Sequence, residues 1–162
     1  MMADAADAAD AAEVRAASAR FYEAVNEVLD GNPAPMLHHW SHAEDVSYCD
    51  TRGAVQRGWQ AVEAYWKTAA SANAFASTRL SASGRIVHAL VSGDLAYVVV
   101  SEEVRRDGEP GAMQTRATNV YRREDGVWRM VHRHADAPPK VDRPETPETE
   151  AATEATGEAS GE

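Results

Sequence analysis

Val14, Ala17, Phe21, Ala24, Val25 and Val28 recur at three- and four-residue intervals, the spacing of one helical face. Asp30-Gly31-Asn32-Pro33 should end that helix, since glycine and then proline stop the periodicity. A short second helix is expected after Pro33 or Pro35, carrying Met36, Leu37 and Trp40 inward. Val46 to Asp50 alternates as a strand does, and Thr51-Arg52-Gly53 reads as its turn. Helical period returns from Trp59 to Ala72, with Trp59, Val62, Tyr65 and Trp66 as the apolar residues. From Ser77 the period becomes two, and strands are expected over 77–91, 94–106, 114–124 and 127–136. Ser92-Gly93-Asp94, Asp107-Gly108-Glu109-Pro110-Gly111 and Glu124-Asp125-Gly126 supply the turns between them. Helices followed by an antiparallel meander predict an α+β domain whose helices cover one face of a curved sheet.

Charge refines the boundaries. The 162 residues carry a formal net charge of −10, but Asp4, Asp7 and Asp10 and an acidic tail account for most of it. Residues 138–162 hold seven acidic and two basic residues and Val141 as their only large aliphatic. Such a segment buries too little to offset its ordering entropy, so it reads as a disordered acidic tail. Residues 1–12 read as a flexible Ala/Asp-rich end, and 13–137 as one nearly neutral domain. An acidic chain is unsuited to nucleic acid or an anionic membrane. No apolar run approaches the ~20 residues of a membrane span, and the single cysteine, Cys49, excludes an internal disulfide. The expectation is a cytoplasmic protein.

Three strings carry a resemblance: Leu37-His38-His39-Trp40-Ser41-His42-Ala43-Glu44-Asp45-Val46, Arg57-Gly58-Trp59-Gln60-Ala61-Val62 and Asp125-Gly126-Val127-Trp128-Arg129-Met130-Val131-His132-Arg133-His134. With the order of elements, they resemble the nuclear transport factor 2-like superfamily, most closely its SnoaL-like and ketosteroid-isomerase-like branch. The closing string is also similar to the association domain of calmodulin-dependent kinases. The resemblance spans about residues 14–137 and implies a cone-shaped fold with a cavity between sheet and helices. The superfamily hosts isomerases, cyclases, dehydratases and non-catalytic binding or assembly domains, so fold alone does not choose.

In such a cone the inward strand positions matter. On the last strand Trp128, Met130, His132, His134 and Asp136 alternate with Arg129, Val131, Arg133 and Ala135. The apolar residues share a face with both histidines, so His132 and His134 are expected to face the cavity or a dimer-buried surface beside it. Two histidines at i, i+2 suit a proton relay. Compared with ketosteroid isomerases, the resemblance puts Asp50 at the catalytic aspartate and Asn119 at the protonated acid of the penultimate strand. It puts Phe21 where those enzymes carry a tyrosine, with Tyr22 one residue off and facing elsewhere. Asp50 would be the base and Asn119, Tyr48 or His134 the donor to a developing enolate; equally, Asp50 opens a turn, an ordinary place for aspartate.

Trp40, Tyr48, Trp59, Trp66, Tyr121 and Trp128, with His132, are the candidate ligand-binding residues, and they favour a small apolar or aromatic molecule. No phosphate-binding glycine loop or Gly-x-Ser-x-Gly elbow is present, and neither a cofactor nor a metal is expected. Two readings follow: a cofactor-independent isomerase, cyclase or dehydratase, or a non-catalytic ligand-binding or assembly domain. Val98, Val100, Val104 and Val120, read as the outer face of the meander, predict a homodimer through the sheets.

Overall fold

The computed structural model describes residues 2–138, with side chains from Asp7 onward. Helix α1 (Met2–Leu29) is followed by α2 (Ala34–His39), strands β1 (Ser47–Cys49) and β2 (Val55–Arg57), helix α3 (Trp59–Asn73), and then β3 (Leu80–Ser92), β4 (Leu95–Arg106), β5 (Met113–Glu124) and β6 (Val127–Asp136). The strands form one sheet in the order β2-β1-β6-β5-β4-β3. All neighbours are antiparallel except β1 and β6, which run parallel. The helices lie on one face, as helix-then-meander sequences require. The acidic tail lies outside the described residues beyond Pro138.

Helix α1 turns its apolar stripe to the sheet: Val14, Ala17, Phe21, Ala24 and Val28 are all buried. Fully burying one such large side chain contributes about 1.5–3 kcal/mol. The helix ends at Gly31, whose φ of 93° is left-handed and whose N–H donates to Val28. A side chain there would also strike Ala74, 2.9 Å from its Cβ. The alanine-aspartate repeat continues the helix: residues 2–12 belong to α1. Alanine propensity permits this, and Arg123 fixes it by donating to both carboxylate oxygens of Asp10 at 2.6 and 2.8 Å. Arg123 also lies over the Trp128 ring, 4.7 Å from its centroid.

Strand β6 contains the main departure from alternation. Val120 pairs with His132 while Tyr121 pairs with Met130, so Val131 is an extra residue, a β-bulge. A bulge reverses the facing of everything after it. Trp128 and Met130 face the helices, and beyond the bulge Val131, Arg133 and Ala135 do so. His132 and His134 are therefore turned outward. The valines also divide. Val98 and Val100 are buried beneath the helices, alternating on β4 with the outward Tyr97 and Val99, whereas Val120, opposite His132, stays on the outer face.

Candidate functional site

The interior of the cone is organised around a buried ion pair. Arg133 donates from Nη2 to Glu102 Oε2 at 3.0 Å and lies 2.7 Å from Oε1 through Nη1. The same Nη1 donates to Asn119 Oδ1 at 3.0 Å. Glu102 also accepts from Tyr22 Oη at 2.6 Å and from Thr115 Oγ1 at 2.8 Å. Tyr22 thus faces the sheet interior, not elsewhere. Its ring lies so close to β3 that a Cβ on Gly84 would sit 2.2 Å from Cζ, and the strand glycine makes room for it.

Aromatic rings wall this cluster. The Arg133 guanidinium lies 4.8 Å from the Phe21 centroid and 6.0 Å from that of Tyr48. Tyr48 stacks on Trp66 at 5.3 Å and tilts against Trp40 at 6.1 Å. Tyr121 is fully buried, and its hydroxyl lies 3.4 Å from His39 Nε2. Trp40, Tyr48, Trp66 and Tyr121 are thus inside. Trp59 stacks on the exposed His42 at 4.0 Å, Trp128 sits under Arg123, and His132 accepts or donates across to Ser47 Oγ at 2.8 Å on the outer face.

Asp50 and His134 are not brought together in the cone. Asp50 is buried, but both its oxygens are occupied by the turn. Oδ1 accepts the backbone N–H of Arg52 and of Ala54, and Oδ2 accepts Nε and Nη2 of Arg52. His134 is exposed and paired with Asp136 at 2.9 Å. Asn119 does face inward, fully buried and directly opposite Arg133 across β5 and β6. Its amide orientation follows from its neighbour, because only Oδ1 can receive the guanidinium. Nδ2 is then left without a partner, as is Arg133 Nε. These two donors, on paired residues of β5 and β6, lack acceptors, as do the indole N–H groups of Trp40, Trp66 and Trp128.

The protonation states are as one-sided as the hydrogen bonds. Burial alone would raise the Glu102 carboxyl, but Arg133 and the hydrogen bonds outweigh it and hold it below the ordinary value. Burial, with the charges of Arg20 and Arg129, holds His39 at about 3, a neutral imidazole. Burial likewise pushes Tyr22, Tyr48 and Tyr121 upward, so they keep their protons. Among the described residues the cone therefore offers donors, and its Glu102 carboxylate is spent on Tyr22, Thr115 and Arg133. Among the described residues no three His, Cys, Asp or Glu side chains converge as a metal site. Nor is any described helix long and apolar enough to cross a membrane.

The sequence signalled part of this. Glu102 continues the parity of Ala96, Val98 and Val100 on β4, so a carboxylate in register with buried valines was visible. Arg133 was not, because the bulge hides its facing, and Tyr22 gave no local sign of burial.

A curled sheet closed by helices over a buried polar cluster defines a cone-shaped α+β fold. The SnoaL-like domain family matches residues 14–139, and the chain belongs to that family. A structure from Thiobacillus denitrificans, provisionally named a calcium/calmodulin-dependent protein kinase type II association domain, is 31% identical. The match covers 77% of this chain and 94% of that one, with a TM-score of 0.64. An NTF2-like protein of unknown function from Pseudomonas putida is 21% identical over 83% of this chain and 91% of its own, at a TM-score of 0.70. A provisionally named dehydratase of the NTF2-like family from Streptomyces avermitilis is 24% identical, covering 81% and 97%, at 0.67. These likenesses confirm the nuclear transport factor 2-like cone. The comparison with curated proteins gives no match.

Proposed function

We propose that the chain is a small-molecule-binding SnoaL-like domain. Its cone takes an apolar or aromatic molecule that presents a carbonyl-type oxygen to Asn119 Nδ2 and Arg133 Nε. The observation that carries the reading is that Asn119 Nδ2 and Arg133 Nε, on paired residues of β5 and β6, are buried without acceptors, because an unmet buried polar group costs about 1–3 kcal/mol. Arg133 is already neutralised by Glu102. A neutral oxygen therefore suits the floor better than a full anion, which would add an uncompensated buried charge. The aromatic walls supply the apolar contacts. A catalytic isomerase, cyclase or dehydratase would further need a base, and within the cone Glu102 and His39 are both held in unreactive states.

The homodimer belongs to the same reading. A second copy would cover the outer sheet face at Tyr97, Val99 and Val120 of β4 and β5 and His132 of β6.

Native mass spectrometry of gently purified protein, followed by denaturing release, tests both parts. The expected result is a dimer carrying a carbonyl-bearing small molecule that Asn119→Leu loses while remaining folded. A ligand retained unchanged by Asn119→Leu, or a released molecule with no carbonyl oxygen, would overturn the floor assignment. A monomer at every concentration would overturn the dimer.

A further inference from the structure

An apolar groove lies on the helical side of the cone. Val25 and Leu29 of α1 and Tyr65, Trp66 and Ala69 of α3 line a groove of about 580 Å³ that the β1–β2 hairpin closes at one end. That volume lies within the ~300–1,000 Å³ of small-molecule sites. Among its lining residues Arg52 is the only charged one.

The setting of Arg52 gives that charge a direction. Its partner Asp50 is hidden, with a side chain 2% exposed against 73% for Arg52. The carboxylate engages Nε and Nη2, and Nη2 also donates to Tyr65 Oη at 3.2 Å. The guanidinium lies 5.5 Å from the Tyr65 ring centroid. Nη1 makes no bond among the described residues, so one edge of a fixed fork remains for an outside acceptor. The anion of the pair faces the turn, and the cation faces the groove.

We infer that this groove binds an amphipathic monocarboxylate, its apolar body along α1 and α3 and its carboxylate on Arg52 Nη1. One available edge of one guanidinium matches one negative charge, and nothing else charged lines the groove to receive a second. In this arrangement Asp50 is a positioning residue, acting on the ligand only through Arg52. The inference does not rest on the donors at the floor of the cone.

Titration calorimetry on the full chain tests it with octanoate and 3-phenylpropionate, each beside its uncharged amide. The expected result is that the wild-type protein prefers acid to amide by about fivefold, the scale of one partly exposed charged contact. Arg52→Gln should abolish that preference without weakening the amide, Arg52→Lys should keep part of it, and Asn119→Leu should keep all of it. An alkyl or an aryl acid binding alone would identify which body the groove fits. Absence of binding by both acids, or an acid preference that survives Arg52→Gln, overturns the inference. A preference lost in Asn119→Leu and kept in Arg52→Gln would place the acid inside the cone, so the groove assignment would fall while the cone remained a binding site.

Discussion

Arg133–Glu102 and Arg52–Asp50 are the same chemical pair at nearly the same separation, 3.0 and 3.1 Å between Nη2 and a carboxylate oxygen. Their surroundings are opposite. Inside the cone both side chains are almost wholly enclosed, at 8% and 7% exposure; at the rim the arginine is 73% exposed. Inside, each charge depends on the other, because water cannot replace a lost partner. At the rim, solvent can take over whatever Asp50 releases. The inner pair therefore fixes structure, and the outer one leaves a cation available.

The largest way to break the comparison is Glu102→Gln. It strands the Arg133 charge and leaves a single side-chain oxygen where Tyr22 and Thr115 each use their own, so stability in urea should fall by about 3–5 kcal/mol. The double variant Glu102→Leu/Arg133→Met should recover most of that loss, since it removes both charges. A loss below about 1 kcal/mol in the single variant would mean that water reaches the pair and that the cone floor is wet.

Acid probes the same interior without mutation. An unfolded histidine titrates near ~6.5, whereas folded His39 does so at about 3. Between those values the unfolded chain binds the extra proton, so stability is full above about pH 6.5 and falls as pH drops below it. His132 acts in the same direction, its folded value lowered by burial and by His134. Glu102, also lowered, adds its loss only below the ordinary carboxylate range of about 4. Between pH 7 and pH 5 the wild-type protein should lose about 1–2 kcal/mol to His39, and His39→Gln should flatten that slope in urea titrations at each pH. An unchanged slope would assign it to His132 or to groups outside the cone.

The residues needed for these arguments were unevenly legible. The order of helices and strands followed from periodicity and from turns such as Glu124-Asp125-Gly126, because both are local. The cone floor depended on facing, and facing depended on one unpaired residue. Read with strict alternation, β6 sends His134 inward; with Val131 bulged, it sends Arg133 inward. A bulge has no dependable sequence signature, and the partner that gives Arg133 its meaning lies 31 residues away on another strand. Asn119 was assigned inward through resemblance, and its β5 strand has no register shift between Met113 and Val120 to upset its parity. Asp50 was ambiguous between a cavity base and a turn residue because both readings need a carboxylate after a short strand; its four accepted bonds all come from the turn itself.

The smallest expected effect sharpens the contrast at the rim. Arg52→Gln should cost about 1 kcal/mol in the same urea experiment, because the arginine is mostly exposed and the buried Asp50 keeps the backbone N–H groups of Arg52 and Ala54 as partners. Asp50→Ala should cost more than its partner does, about 1–2 kcal/mol, since it leaves the N–H groups of Arg52 and Ala54 without their acceptor. Asp50→Asn separates the two contributions: its side-chain oxygen still serves the turn but no longer carries charge to Arg52. If Asp50→Asn behaves as Arg52→Gln does, the aspartate holds the turn through its geometry and the arginine through its charge. If it is instead as costly as Asp50→Ala, the rim pair is more shielded from water than its exposed arginine indicates, and the distinction between the two pairs narrows.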